Sequence, residues 1–203
     1  MNYRTMIAAW LAVTAMFGCA HAADPRYPDW PCVQAKVPEI SLAAVWAGPP
    51  LDDVSGKWKE DASIGSLVSK LAARRTTLEE SQKAVADHLK NATDKTASGK
   101  VLFSGLFDTL NGQRSQVMNG LERITRKQRD AADKIRADTI ALQALQGDAS
   151  RDQAKVDELG NQLVWQTRIF EDRQRVIKFV CEVPTAIDQR LFALGRMIQQ
   201  EIE

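Results

Sequence analysis

The sequence predicts an all-α protein: an elongated, antiparallel three-helix coiled-coil-like bundle preceded by an extended Pro/Trp-rich arm. Three observations carry this prediction. From Asp61 onward apolar residues recur at steps of three and four and resolve into long seven-residue repeats, the pattern of helices packed along a seam. That region holds only Pro184 of the seven prolines, and the other six, at 25, 28, 31, 38, 49 and 50, crowd into the arm. Polar segments at 90–99 and 147–150 divide the heptad region into three helices, and connections this short force antiparallel neighbours.

The chain opens on MNYRTMIAAWLAVTAMFGCAHAADP. One base, Arg4, precedes an apolar run, 6–17, that is too short to span a bilayer. Ala20 and Ala22 place small residues where a signal peptidase needs them. Residues 1–22 therefore read as a signal peptide cut after Ala22, and the protein is expected to be periplasmic or secreted. A rival reading ends the leader at Cys19, giving a lipid-anchored form. Gly18 suits that reading, while Met16 and Phe17 depart from the Leu and small residue usual there. No later stretch approaches the ~20 apolar residues of a transmembrane helix.

The chain has 27 Lys plus Arg against 26 Asp plus Glu, and loss of Arg4 with the leader leaves the two balanced. A nucleic-acid binder would carry a basic excess on one face, so nucleic acid is not an expected partner. The local basic run 123–130 is flanked by acids and reads as a solvated helix face. Cys19 departs with the leader. The remaining pair, Cys32 and Cys181, points to a disulfide in an exported protein, with two separate buried thiols as the alternative.

The arm covers 23–60. Its prolines disfavour helix and favour extended backbone, although Ser41–Trp46 has room for one helical turn capped by Ser41. Trp30, Trp46 and Trp58 each carry a large apolar surface that needs cover. Either they fill a groove between the helices or they dock a partner protein. The pattern DWPC…VP…S…VWAGPPL, Asp29 to Leu51, resembles a set of exported bacterial helical proteins; the resemblance implies no activity and no site residue.

The bundle covers 61–203. Its first helix is expected at 61–90, with Asp61 as N-cap and Ile64, Leu67, Val68, Leu71, Leu78, Val85 and Leu89 on the apolar face. The second is expected at 98–146. One seam takes Phe103, Leu110, Val117, Ile124, Ala131 and Leu145, and its neighbour takes Phe107, Leu121, Ile135 and Leu142. Gly105, Gly112 and Gly120 lie inside it, each costing a helix roughly 1 kcal/mol relative to Ala. Asn111-Gly112 is a turn signal, but the register passes through it without a phase shift, which favours one helix whose glycines admit a close neighbour. The third helix is expected at 150–202, opened by a Ser150/Gln153 capping box. Its heptads continue in phase across Pro184, so a kinked helix and two nearly coaxial helices, the second capped by Thr185 and Asp188, both fit. Pairs at i and i+4 (Glu79–Lys83, Glu122–Arg126, Asp130–Lys134, Glu171–Arg175) mark the solvated faces.

No catalytic or metal constellation stands out. His88 is alone, where a zinc site needs three or four convergent ligands. There is no Cys-x-x-Cys-His, no Glu-x-x-His, no Gly-x-Ser-x-Gly and no phosphate loop. No enzyme, metal or cofactor is expected. The one polar feature above background is the set of seam interruptions: Arg74 or Arg75, Arg114, Gln128, Asp138, Gln166 and Arg173. Such residues commonly fix register; the alternative is a polar cleft. Arg114 and Arg173 are offset by about nine residues, or ~13 Å of helix, from a turn near 148, so they are not direct partners. The expected role is a noncatalytic exported helical protein acting through contact with an as yet unidentified protein, as adaptor, chaperone or accessory subunit. The alternative is a helical protein that binds a small molecule or cofactor at the polar seam.

Overall fold

The computed structural model describes residues 24–203, so the expected leader, its cleavage point and Cys19 lie outside the described residues. Among the described residues there are six α-helices and no strand. In order they are α1 (Leu42–Val45), α2 (Ala62–Ala72), α3 (Leu78–Lys90), α4 (Lys95–Gly147), α5 (Gln153–Val180) and α6 (Val183–Ile202), with two 3-10 turns at Asp52–Val54 and Lys57–Lys59. No helix among them is long and apolar enough to cross a membrane.

The helix expected at 61–90 is two helices. Asp61 caps α2, its carboxylate accepting from the N–H groups of Ser63 and Ile64. The backbone then turns extended at Ala73, and Thr77 opens α3 with a capping box: its hydroxyl accepts from Glu80 N–H at 3.1 Å while the Glu80 carboxylate accepts from Thr77 N–H at 2.8 Å. The seven-residue step from Leu71 to Leu78 hid this break, because a heptad count does not see the backbone between its members. Leu78 is exposed. Arg190 of α6 secures the break by donating from Nε to Leu71 O at 2.8 Å and from Nη2 to Leu71 O at 2.6 Å and Thr76 O at 2.9 Å. These are carbonyls that the end of α2 and the loop leave without helical partners.

Helix α4 is capped by Asp94 and runs unbroken through Asn111-Gly112 for 53 residues, ~80 Å at 1.5 Å per residue. The glycines divide into two kinds. A Cβ at Gly105 would sit 2.7 Å from Val68 and 2.9 Å from Trp58, so close approach explains it. A Cβ at Gly112 would meet nothing within 4 Å. Beyond α4, Ser150 does not cap the next helix. It donates its N–H and hydroxyl to Asp148, and Asp152 is the N-cap of α5. At Pro184 the chain forms two helices rather than one kinked helix. Cys181 and Glu182 keep right-handed helical backbone, and Pro184 falls in the first turn of α6, where a missing N–H costs little. Thr185 and Asp188 do not cap it; Glu182 stands at the N-cap without a side-chain bond.

The core lies at one end. Val68, Leu71, Val85, Leu89, Leu102, Phe103, Leu106, Leu191, Leu194 and Ile198 are fully buried where α2, α3, the first half of α4 and α6 meet. The second half of α4 packs on α5, and in α5 only Val156 is buried. The arm runs along α4 toward its N-terminus. Asp29 pairs with Arg126 and Arg129, Lys36 with Glu122, and Pro38 O accepts from Arg114. Trp46 stacks on Phe103 with centroids 4.3 Å apart. The expected i, i+4 pairs are not formed: Glu122 and Arg126 turn to the arm, Lys134 pairs with Asp138, and Arg175 pairs with Asp172.

Candidate functional site

The arm is tied down where α5 meets α6. Cys32 and Cys181 form a disulfide with Cα atoms 5.5 Å apart. Beside it Gln34 donates to Cys181 O at 3.1 Å. A cavity of about 210 Å³ under this junction is lined by Trp30, Gln34, Met118 and Pro184, with Arg114 and Asp188 at its polar end. Arg114 Nε lies 2.8 Å from Asp188 Oδ1, and its guanidinium also faces Met118 Sδ and Pro38 O. Burial pushes the Asp188 carboxyl above the ordinary carboxylate value, and the opposing pull of Arg114 does not reverse this.

The three tryptophans have separate fates. Trp46 is in the core and donates its indole N–H to Pro49 O at 2.8 Å, so it is not available to a partner. Trp58 packs at Gly105 and donates to Asp108 at 3.0 Å. Trp30 is half-buried over the cavity and donates to Gln34 O at 2.7 Å. All three indole N–H groups thus bond within the chain, Trp46 in the core and Trp30 and Trp58 half-buried.

The polar seam positions do not gather at one place. Arg114 belongs to the Asp188 pair at the core end. Gln128, buried midway, donates to Phe170 O at 3.0 Å. Further out Asp138 meets Lys134 at 3.0 Å and approaches Gln166, and the Lys134 ammonium, followed by Gln166, holds the Asp138 carboxyl below the ordinary range. Arg173 is exposed rather than buried, and Arg74 and Arg75 lie exposed in the α2–α3 break. Arg114 and Gln128 sit at separate levels of the helix pair, while Gln166 and Arg173 line one hollow with Lys134, beside which Asp138 pairs with Lys134. His88 contacts Ser98 at 2.9 Å, and among the described residues no group of three or more His, Cys, Asp or Glu is placed to hold a metal.

What the heptad reading missed is on the outer face of α5. Trp165, Ile169, Val176 and Phe179 are exposed, Phe179 at 73%. With Asp172 they step by 4, 3, 4 and 3, a second heptad seam in which Trp165, Asp172 and Phe179 stand two positions after Leu163, Phe170 and Ile177 of the main seven-residue repeat. The spacing is present in the sequence, where the stronger seam overshadows it. Between this stripe and α4 runs a groove, a hollow of about 330 Å³ lined by Val117, Gly120, Ile124, Val176 and Val180. A hollow of about 230 Å³ lined by Ala131, Ile135, Ile169 and Phe170 continues it, and Arg173 borders both.

No family model, curated protein or solved structure matches the chain.

Proposed function

We propose that the chain is an exported, noncatalytic helical protein that works through protein–protein contact, as an adaptor, chaperone or accessory subunit. The observation that carries this reading is the unpartnered apolar seam on α5. A heptad stripe of Trp, Ile, Val and Phe that faces water costs a soluble protein free energy, and contiguous exposed apolar faces of this kind mark interaction surfaces. The leader-like N-terminus and the Cys32–Cys181 bond favour an oxidising compartment. The small-molecule reading is left with Gln166 and Arg173, which share a hollow with Lys134, the other polar seam residues being spread along the helices.

The test is site-specific photo-crosslinking in the native host. A photoreactive residue at Val176 should give one discrete protein adduct, and the same residue at exposed Arg136, on the remote side of α4, should give none. Equal labelling from both positions, or a small molecule retained in native mass spectrometry at the expense of any protein adduct, overturns the reading.

A further inference from the structure

We infer that the groove between α4 and α5 receives an acidic amphipathic helix of another protein, laid in as a third strand. This rests on the protein-contact reading above and specifies the partner's chemistry.

The shape comes first. From Val117 to Ile135 the floor is ~27 Å long, about five turns of helix. Its walls are two antiparallel helices whose facing residues already follow heptad spacing, so a third helix is the object that fits between them. Gly120 lies in the floor. Within 4 Å of a Cβ placed there the only atom is Nη2 of Arg123, at 3.9 Å, so nothing in the described chain occupies that space. Gly105, by contrast, is filled by Trp58 and Val68. A helix in the groove could set a large apolar side chain over Gly120 as Trp58 sits over Gly105.

Charge selects the occupant. Arg123, Lys127 and Lys134 stand three residues after Gly120, Ile124 and Ala131 on α4, the step that places them on the rim. Arg168 stands in the same relation to Trp165 on α5, and Arg173 borders both hollows. The acids of this face are taken: Asp138 by Lys134 and Asp172 by Arg175. Arg123, Lys127, Arg168 and Arg173 make no ion pair among the described residues. An apolar floor between unpaired cations fits a helix with apolar a and d positions and Asp or Glu on its flanks. A second copy of the chain would bring the same cations to the same rim, so like charges oppose self-association through this groove. An anionic lipid surface satisfies the charge but is flat and leaves the recess at Gly120 empty.

The experiment titrates the oxidised chain with three labelled synthetic peptides of about four heptads. One has Leu and Ile at a and d with Glu flanks, one has the same core with Lys flanks, and one is a scrambled acidic sequence. Anionic phospholipid vesicles and sedimentation of the protein alone complete the set. The acidic amphipathic peptide should bind at least about tenfold tighter than either control, weakening as salt rises. Gly120→Leu, which fills the recess and favours helix, should cut that binding by at least about tenfold while circular dichroism is unchanged. Equal binding of the Glu and Lys peptides overturns the inference. So does vesicle binding without peptide binding, or a dimer abolished by Gly120→Leu. If the Val176 crosslink finds a partner but the acidic peptide does not bind, this inference fails and the protein-contact reading stands.

Discussion

Removing the disulfide should loosen one end of the arm and leave the other in place. The perturbation is Cys32→Ser with Cys181→Ser, which avoids a free thiol. The bond closes a loop of 149 residues, and loop-closure entropy gives a loss of about 5 kcal/mol as an upper value. The local consequence follows from how the arm is held. None of residues 24–40 is buried, and apart from the disulfide they are held by the Asp29 and Lys36 ion pairs, by single hydrogen bonds from Gln34 and to Pro38, and at the far end by half-buried Ile40 packed against the core. The Asp29 pairs, whose arginines face solvent, contribute little, the more covered Lys36–Glu122 pair is a single contact, and ordering backbone costs ~1–2 kcal/mol per residue. Residues 41–54 are different, because Val45, Trp46, Leu51 and Val54 are buried, each contributing ~1.5–3 kcal/mol of apolar burial. The urea midpoint of the double variant should fall. Limited proteolysis read by mass spectrometry should give new cuts within 24–40 and none between 41 and 59. Unchanged protection of 24–40, or cutting that begins in the Trp46 segment, would refute the account of how the arm is held.

Glycines on α4 and α6 should respond in opposite senses to Ala. At Gly195 a Cβ meets Val45 O and lies 2.9 Å from Phe103, so Gly195→Ala should destabilise by ~1–3 kcal/mol despite the gain in helix propensity. At Gly112 nothing is in reach, so Gly112→Ala should stabilise by up to ~1 kcal/mol; denaturant midpoints of the two variants that move the same way would contradict this. Asp188 sets a pH dependence. Its folded pKa is raised above the unfolded 3.8 by burial, so its contribution is full below that value and is lost as pH rises through the raised one. The stability of the wild type relative to Asp188→Asn should therefore fall as pH rises above the ordinary carboxylate value of 3.8, and a difference that stays flat or rises in urea melts on that side would show that burial does not dominate at this carboxyl.

Helical class was legible in the sequence because the cues lie within a turn or two of the residue they govern. Asp61 caps α2 through N–H groups two and three residues away, and the register of α4 carries through Asn111-Gly112 because its neighbours at four residues supply every hydrogen bond. Count singled out the two cysteines once Cys19 is set aside and left two separate thiols as the alternative; the tertiary structure decides for the bond by bringing their Cα atoms to 5.5 Å. The α2–α3 break was written locally in the Thr77–Glu80 box, yet it is held open by Arg190, which lies 119 residues from Leu71 and which no local pattern singles out. Trp46 enters the core rather than a partner because α6 presents Gly195, whose lack of a side chain lets Val45 and its segment reach Phe103. Salt-bridge partners followed the same division. Helical spacing offered Glu122 to Arg126, but the arm lays Lys36 and Asp29 beside them. The groove, too, is a tertiary result: α4 and α5 leave one face of each uncovered because the first helix of the expected bundle, observed as α2 and α3, lies at the core end. Hydrogen bonds along a helix close within four residues, whereas which faces meet depends on where distant segments end, and that is settled by packing.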